Sequence, residues 1–469
     1  MSAPIADTSP ATPADVIARA DALRQQLQAK FRDETVKSIY AEAERIARRA
    51  VHATSGPRRD LDRQIDRLVT SPTFGLPIMA VVLMAVFWVT IKGANIPSAI
   101  IAHALFWVEG RASLLFTSLG APWWVTGFIW HGVWRGLAWV VSVMLPPMAI
   151  FFPLFTILED LGYLPRVAFN LDFLFKRAGA HGKQALTMAM GFGCNAAGVI
   201  ATRVINSPRE RLIAILTNNF VPCNGRFPTL IMLATVFVAA AFPPALASLA
   251  AAATVVGVVI IGVIVTLGVS WALSRTILKG EASVFTLELP SYRRPNVARI
   301  LYTSLIDRTV FVLWRAMVTA APAGALIWVL GNIHADGVSL AARAANALDP
   351  AGRLIGLDGV ILLAYVIAIP ANEIVVPTIL MVYMGAGMMT DVQSFSAIRT
   401  VLVDQRGWTL LTAVNLMLFS LLHNPCATTI VTIYRETLSL KWATVGALMP
   451  LVLAFIVTFL TASIVRLLM

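Results

Sequence analysis

Polar and charged residues fill the first 70 or so positions of the chain, and apolar runs fill most of the rest. The runs lie at about 75–91, 137–158, 185–205, 210–242, 245–274, 310–332, 359–385, 407–434 and 441–468. A helix of about 18 or more apolar residues can cross roughly 30 Å of hydrocarbon, so the pattern predicts an all-α polytopic membrane protein. Ahead of the runs, Thr12-Pro13-Ala14-Asp15 reads as a helix start: a capping Thr, a Pro at the first helical position and an acid in the first turn. Val16, Leu23, Leu27 and Phe31, continued by Ile39, Ala43, Ile46 and Ala50, then recur at helical spacing until Gly56-Pro57. Residues 1–11 are expected to be disordered, and 12–70 to form a cytoplasmic amphipathic helical arm whose apolar stripe needs a partner.

Four of the runs are interrupted by residues that a lipid-facing helix avoids. The breaks are Gly193-Cys194-Asn195, Pro222-Cys223-Asn224-Gly225-Arg226, Pro370-Ala371-Asn372-Glu373 and His423-Asn424-Pro425-Cys426. Backbone groups freed by a break cannot be left bare to lipid, so each break must lie in the protein interior or line a wet cavity. The breaks also repeat: two Pro-Cys pairs sit in long runs, and each follows a shorter broken run. Broken helices at matching places in two halves point to a transport site between repeats.

If 185–205 and 359–385 are re-entrant hairpins and the other seven runs cross fully, the two halves are inverted relative to one another. With the N-terminus inside, the loops at 159–184, 203–211, 276–309 and 435–441 face the cytoplasm. They carry about twice as many Lys and Arg, on fewer residues, as the outer loops at 92–135, 331–360 and 386–406. That is the bias expected of a cytoplasmic face. The expected organisation is a first span and outer segment over 71–136, a first repeat with a connecting span over 137–275 and a cytoplasmic loop over 276–309. A second repeat over 310–434 and a last span over 435–469 complete it.

Composition agrees. Hydrophobic residues make up 58% of the chain and charged ones only 13%, against roughly 25% charged in soluble domains. The net charge of +12 is spread over short loops rather than one face, which speaks against nucleic acid as a partner and for membrane orientation. The long polar start reads as carrying no cleavable leader. Three cysteines cannot build a disulfide framework.

All three cysteines, Cys194, Cys223 and Cys426, fall inside the breaks. Sulfur is a soft ligand suited to transition metals and a poor one for sodium, magnesium or calcium. The breaks add Asn195, Asn224, Asn372 and Glu373, the last a carboxylate deep in an apolar run, where ionisable groups default to a functional reading. His423 is the one histidine at a break, and a core role competes with metal binding there. Arg226 is a poor cation ligand; it either pairs with Glu373 or holds released carbonyls. Gly193, Pro222, Pro370 and Pro425 shape the breaks. Met188 and Met190 are soft donors that more simply pack. Glu159 and Asp160 read either as a station for the ion or as an interfacial cap pairing with Arg166. No phosphate loop, HExxH or GxSxG is present, so an enzyme reading has little support and no cofactor is expected.

Met190-Gly191-Phe192-Gly193-Cys194-Asn195, with Ala201-Thr202-Arg203 and Arg209-Glu210-Arg211-Leu212, resembles the first gate motif of the bacterial ferrous-iron transporter B family. Leu158–Tyr163 and His181-Gly182-Lys183 resemble its lead-in. Pro370-Ala371-Asn372-Glu373-Ile374-Val375 and Pro425-Cys426-Ala427-Thr428-Thr429 resemble its second-half gate, and Glu288-Leu289-Pro290 with Tyr292-Arg293 its central loop. The resemblance implies ferrous iron as transported substrate, crossing the bacterial inner membrane past the gate cysteines. Family members typically begin with a GTP-binding domain, of which this sequence carries no motif; Leu61–Leu68 resembles only the segment that links that domain to the membrane. A separately encoded GTPase or small accessory protein on the arm, or a second copy of the chain, are the partners to consider. The family's usual Pro-Ala after the first Cys-Asn is here Ala196-Ala197, which should soften the hairpin tip. The competing readings are another divalent metal (manganese, zinc or cobalt), a nucleoside or organic-solute permease of the gate type, and a non-transporting assembly partner.

Overall fold

The computed structural model describes Ile17, Thr35 and residues 38–47, 49–50, 61–71, 73–280, 292–389 and 395–468. The chain forms two compact units, one from residues 1–64 with 283–288 and the other from 65–282 with 289–469. In the first, the described residues are helical. Ile39 and Ile46, both on the expected stripe, are exposed there. The expectation of disorder over 1–11 lies outside the described residues.

The second unit is built from helices. Following α1 (Leu61–Val69), α2 (Gly75–Ser118) runs 44 residues without interruption, with Pro97 inside it. The sequence reading stopped this span near residue 91 and expected an irregular outer segment. A single interior Pro removes one hydrogen bond and kinks a helix, but the apolar neighbours Ala94, Ile96, Ala99 and Ile100 let it continue. At 1.5 Å per residue it is about 66 Å long, well beyond the hydrocarbon thickness. Next comes α3 (Trp123–Asp160), whose Gly127–Trp134 stretch is a π-helix, so this span also starts earlier than its apolar run suggested. Then follow α4 (Tyr163–Arg177), α5 (Gln184–Gly193), α6 (Asn195–Ala201), α7 (Pro208–Thr217), α8 (Phe227–Leu233) and α9 (Pro244–Arg275). The remaining helices are α10 (Val297–Tyr302), α11 (Phe311–Asn332), α12 (Leu340–Leu354), α13 (Gly359–Ile367), α14 (Val375–Met384), α15 (Phe395–Arg399), α16 (Leu410–Leu422), α17 (Ala427–Thr437) and α18 (Leu440–Leu468). Two-residue strands β1 (His334–Ala335) and β2 (Val338–Ser339) pair before α12.

Six helical stretches among the described residues are long and apolar enough to cross a membrane: α2, α3, most of α9, most of α11, α16 with α17, and α18. The run at 210–242, expected to cross fully, is split into α7 and α8 by its break. The two shorter broken runs fold back on themselves. Lys183 Nζ, just before α5, donates to Val204 O just beyond α6, 3.0 Å away. Asp358, just before α13, accepts from the Tyr383 hydroxyl at the end of α14. Each hairpin is thus closed at its neck. On α9 and α18, Ile260, Ile264, Val452 and Ile456 stay exposed, as lipid-facing side chains do.

Close helix approach needs small residues in a membrane interior. A Cβ on Gly136 of α3 would come within 2.9 Å of Gly324 Cα on α11, so only glycine allows the first spans of the two repeats to touch there.

One polar knot ties α1 to the rest. Arg166 of α4, 1% exposed, donates from Nε and Nη2 to the Asp66 carboxylate at 2.9 and 3.1 Å and from Nη1 to Gly162 O at 2.8 Å. Tyr292 donates its hydroxyl to Asp66 at 2.9 Å and lays its ring 4.1 Å from the guanidinium. The Arg166 bonds hold the Asp66 carboxyl below the usual carboxylate range, while burial pushes the Tyr292 hydroxyl up to about 12. A carboxyl with a lowered folded pKa contributes stability above its ordinary value and loses it as pH falls through the lowered one. Asp66→Asn should therefore cost about 3–5 kcal/mol at neutral pH, because Arg166 is left buried and uncompensated. The gap from wild type should close as the pH falls below about 4. Melting curves of the detergent-solubilised protein test this, and a variant that melts like wild type at pH 7 refutes it.

Candidate ion site

The breaks meet because each ends a helix where its sequence can no longer continue one. Cys194 adopts an extended backbone (φ −155°, ψ 126°) between α5 and α6. Pro222 has no N–H to continue α7, and Pro228 is pre-shaped for the start of α8. His423 turns extended at the end of α16, and Cys426 stands at the start of α17. The same cross-bond forms in both repeats: Asn224 N donates to Gly193 O at 3.4 Å, and Ala427 N donates to Ile369 O at 2.8 Å. Each broken span is thus pinned to the tip of its own hairpin.

Where the four tips converge they enclose a chamber of about 30 Å³, lined by Cys194, Cys223 and Cys426 together with Gly193, Asn195, Pro370, Asn372 and Glu373. The structure therefore brings eight of the predicted residues to one place. It adds Met144 and Met148 of α3 and Thr428 and Thr429 of α17, which the sequence reading missed as donors. The two methionines stand four apart on one helix face, a spacing visible in the sequence, but nothing there says that this face meets the hairpin tips. Met188 and Met190, which were weighed, do not line the chamber; Met188 is buried in the core. Cys426 Sγ lies 3.3 Å from Thr429 Oγ1. Among the described residues no three His, Cys, Asp or Glu side chains stand close enough to hold one metal ion together. The side chains that line the chamber do not form a closed cage.

Arg226 lies outside the lining and is 1% exposed. Its Nη1 donates to Asn219 O and Leu421 O, both at 2.8 Å. Its Nη2 reaches Asn219 Oδ1 and His423 O at 3.1 Å and Asn424 O at 3.4 Å. Of the two roles considered for it, holding released carbonyls is the one seen. It joins the break of the first repeat to the end of α16 in the second, where a cation also meets the negative end of the helix dipole. Asn219 is fixed by these bonds and by donating to His423 O at 2.8 Å, so its Oδ1 accepts from Asn195 Nδ2 at 3.2 Å.

Glu373 faces Gly225, where any Cβ would collide with its carboxylate, and its backbone carbonyl accepts from Trp139 Nε1 at 3.1 Å. His423 is buried behind the chamber: Nδ1 faces Ser420 O at 2.9 Å, and Nε2 lies 3.4 Å from the side-chain amide of Asn372. It sits against Tyr365, ring centroids 4.6 Å apart. This geometry suits positioning Asn372. Asn224, Pro222 and Pro425 shape the breaks without lining the chamber.

A polytopic membrane protein with two pinned hairpins and two broken spans around a small, mostly apolar central chamber is a gate-type membrane protein, and comparison with known proteins agrees. The gate family described as nucleoside recognition matches residues 141–237 and 313–440, and the ferrous iron transport protein B C terminus matches residues 255–307. Relatives include the Fe(2+) transporter FeoB of Staphylococcus aureus, 27% identical over 95% of this chain and 66% of its own length. The Fe(2+) transporter FeoB of Synechocystis is 29% identical over 87% of this chain and 64% of its own. That of Legionella pneumophila is 32% identical over 58% of this chain and 34% of its own. The chain thus carries a gate domain and a ferrous iron transport protein B C-terminal domain, and it spans about a third to two-thirds of the length of these relatives. No solved structure matches.

Removing the Arg226 guanidinium strands buried carbonyls on both repeats. Arg226→Leu should lower stability by about 3–5 kcal/mol and broaden the melting transition of the purified protein. A variant that melts within a degree of wild type would show that the clamp is dispensable.

Proposed function

We propose that this chain is a permease that carries ferrous iron across the bacterial cytoplasmic membrane, through the chamber at the hairpin tips. The observation that carries the reading is the convergence of three sulfurs, two asparagine side chains and one carboxylate on a single space of about 30 Å³. Relatives named Fe(2+) transporters and the C-terminal domain match support iron as the cargo. About one water-sized probe fits such a volume, so an ion must shed its shell there and take protein donors instead. Soft sulfur from Cys194, Cys223 and Cys426 suits a borderline transition metal. Asn195 and Asn372 replace water oxygens, and Glu373 offsets cargo charge. Mixed, loosely grouped donors bind weakly enough to release.

The permease needs no nucleotide chemistry of its own. The membrane potential is worth about 2.3 kcal/mol per charge per 100 mV, hence about 4.6 kcal/mol for a divalent ion. The excess of Lys and Arg on the loops of one side supports a cytoplasmic N-terminus and a cytoplasmic Lys183–Val204 neck. The arm's exposed stripe at Ile39 and Ile46 is where a separate GTPase, an accessory protein or a second copy would dock.

The gate family's description, nucleoside recognition, is the observation that favours a second reading. Pockets for small organic molecules run to roughly 300–1,000 Å³, far larger than the chamber, whereas the apolar cavity of about 460 Å³ beside it falls in that range. Phe192, Phe220 and Phe227, the candidates for base stacking, are buried in the core and do not line it.

The test is ferrous-iron flux into liposomes holding this chain alone, with and without an imposed inward-negative potential. Flux should rise with the potential and fall roughly 10–100-fold in Cys194→Ser and Cys223→Ser, the usual scale for losing part of a metal site. Equal flux in the variants at equal protein would sink the reading. Competition by manganese, zinc and cobalt decides the metal.

A further inference from the structure

The chamber does not end at the sulfurs. Val312 of α11 and Thr428 of α17 line it and also line a second cavity of about 460 Å³ between α3, α4, the first hairpin, α11 and α17. This vestibule is largely apolar, with Ala197 and Ile200 of α6 along one wall. At its far end Glu159 lines both the vestibule and a third cavity of about 660 Å³, which is lined by Asp160, Arg293 and Arg294. Chamber, vestibule and charged mouth therefore follow one another toward the face that bears Lys183 and Arg203.

Arg315 is the one cationic side chain in the vestibule lining. It projects from α11, one residue from Ala316 in the chamber wall. Its Nη2 donates to Thr428 O at 3.3 Å and to Thr432 Oγ1 at 2.9 Å. Those bonds strap α11, the first span of the second repeat, to α17, the half-helix that begins at Cys426. The strap lies beside the two residues that form the neck between chamber and vestibule. A guanidinium there holds the walls of the neck together.

We propose that the vestibule is the inner leg of the ion's route and that Arg315 is its gate, a positioning residue whose bonds to Thr428 and Thr432 must break for the neck to widen. The proposal rests on reading the chamber as a cation site. It adds the direction the route takes and the side chain that closes it. It also gives a role to Ala197: a small residue at the tip of the first hairpin leaves the vestibule open.

The test uses the full chain in membrane vesicles of both orientations and its native cysteines. The probe is a membrane-impermeant trimethylammonium methanethiosulfonate, with modification of Cys194 and Cys426 read by mass. Arg315→Ala should speed modification from the face bearing Lys183 by roughly tenfold, the rate change for about 1.4 kcal/mol of barrier. Arg315→Lys, which keeps the charge and one donor, should stay near wild type. Ala197→Trp should slow modification from that face and leave the opposite face unchanged. An unchanged rate in Arg315→Ala, or an equal rise from both faces, overturns the gate. If Arg315→Ala does not fold, Ala197→Trp alone decides, and its failure to slow labelling overturns the route. Labelling needs no iron: the expected pattern in a chain that moves none would sink the iron reading and keep the route, whereas full iron flux through Ala197→Trp would sink the route and keep the iron reading.

Discussion

The fold turns on one buried cation. Four helix ends meet in the middle of a structure surrounded by lipid, and each leaves carbonyls or amides that water cannot reach. Arg226 meets this problem for the end of α16 and the break after α7 together, with one planar group spanning both repeats. Lysine could not, because a point charge lacks the fork of donors that reaches several carbonyls at once. The consequence for function is electrostatic. Behind the chamber wall lies a fixed positive charge, and Glu373 is the one carboxylate among the residues that line the chamber.

Around that clamp the two halves share a backbone plan but not a chemistry. The bond from Asn224 N to Gly193 O is reproduced by the one from Ala427 N to Ile369 O, and each hairpin is closed at its neck by a side-chain bond. The first repeat brings two sulfurs and the arginine; the second brings one sulfur, Asn372 and Glu373. Backbone symmetry sets where the tips meet. Side-chain asymmetry sets the mix of sulfur, amide and carboxylate groups that lines the meeting point.

The small size of the chamber gives the arrangement its selectivity logic. Apolar walls from α3 and the half-helices exclude solvent, so an ion there depends on whatever donors the tips supply. Under the proposed function, donors that line the chamber without forming a cage would hold an ion only briefly. On the side of the Lys183–Val204 neck the walls open into a wider apolar space lined by Arg315, beyond which lies a cavity of mixed charge with Glu159, Asp160, Arg293, Arg294 and Arg299 in its wall.

Much of this was legible in the chain because a bilayer leaves so few options. Apolar runs of spanning length dictate helices, and Cys194, Cys223, Cys426 and Glu373 stand out because sulfur and charge at helix breaks have few structural excuses. Other features were invisible because they depend on which faces meet. The 44-residue length of α2 was hidden because its apolar run is interrupted after residue 91 by Lys92-Gly93, while the helix continues through them and through Pro97. The roles of Met144, Met148, Thr428 and Arg315 follow from the packing of α3, α11 and α17 around the hairpins, contacts between residues far apart in sequence. For Arg226 the sequence offered both Glu373 and the carbonyls as partners, and only the tertiary structure chose. The sequence by itself determined that sulfur and amide donors sit at helix breaks inside a membrane, since local propensity and lipid solvation act residue by residue. Which of them face a common space was decided by long-range packing, because a side chain's direction depends on how its helix is rotated against its neighbours.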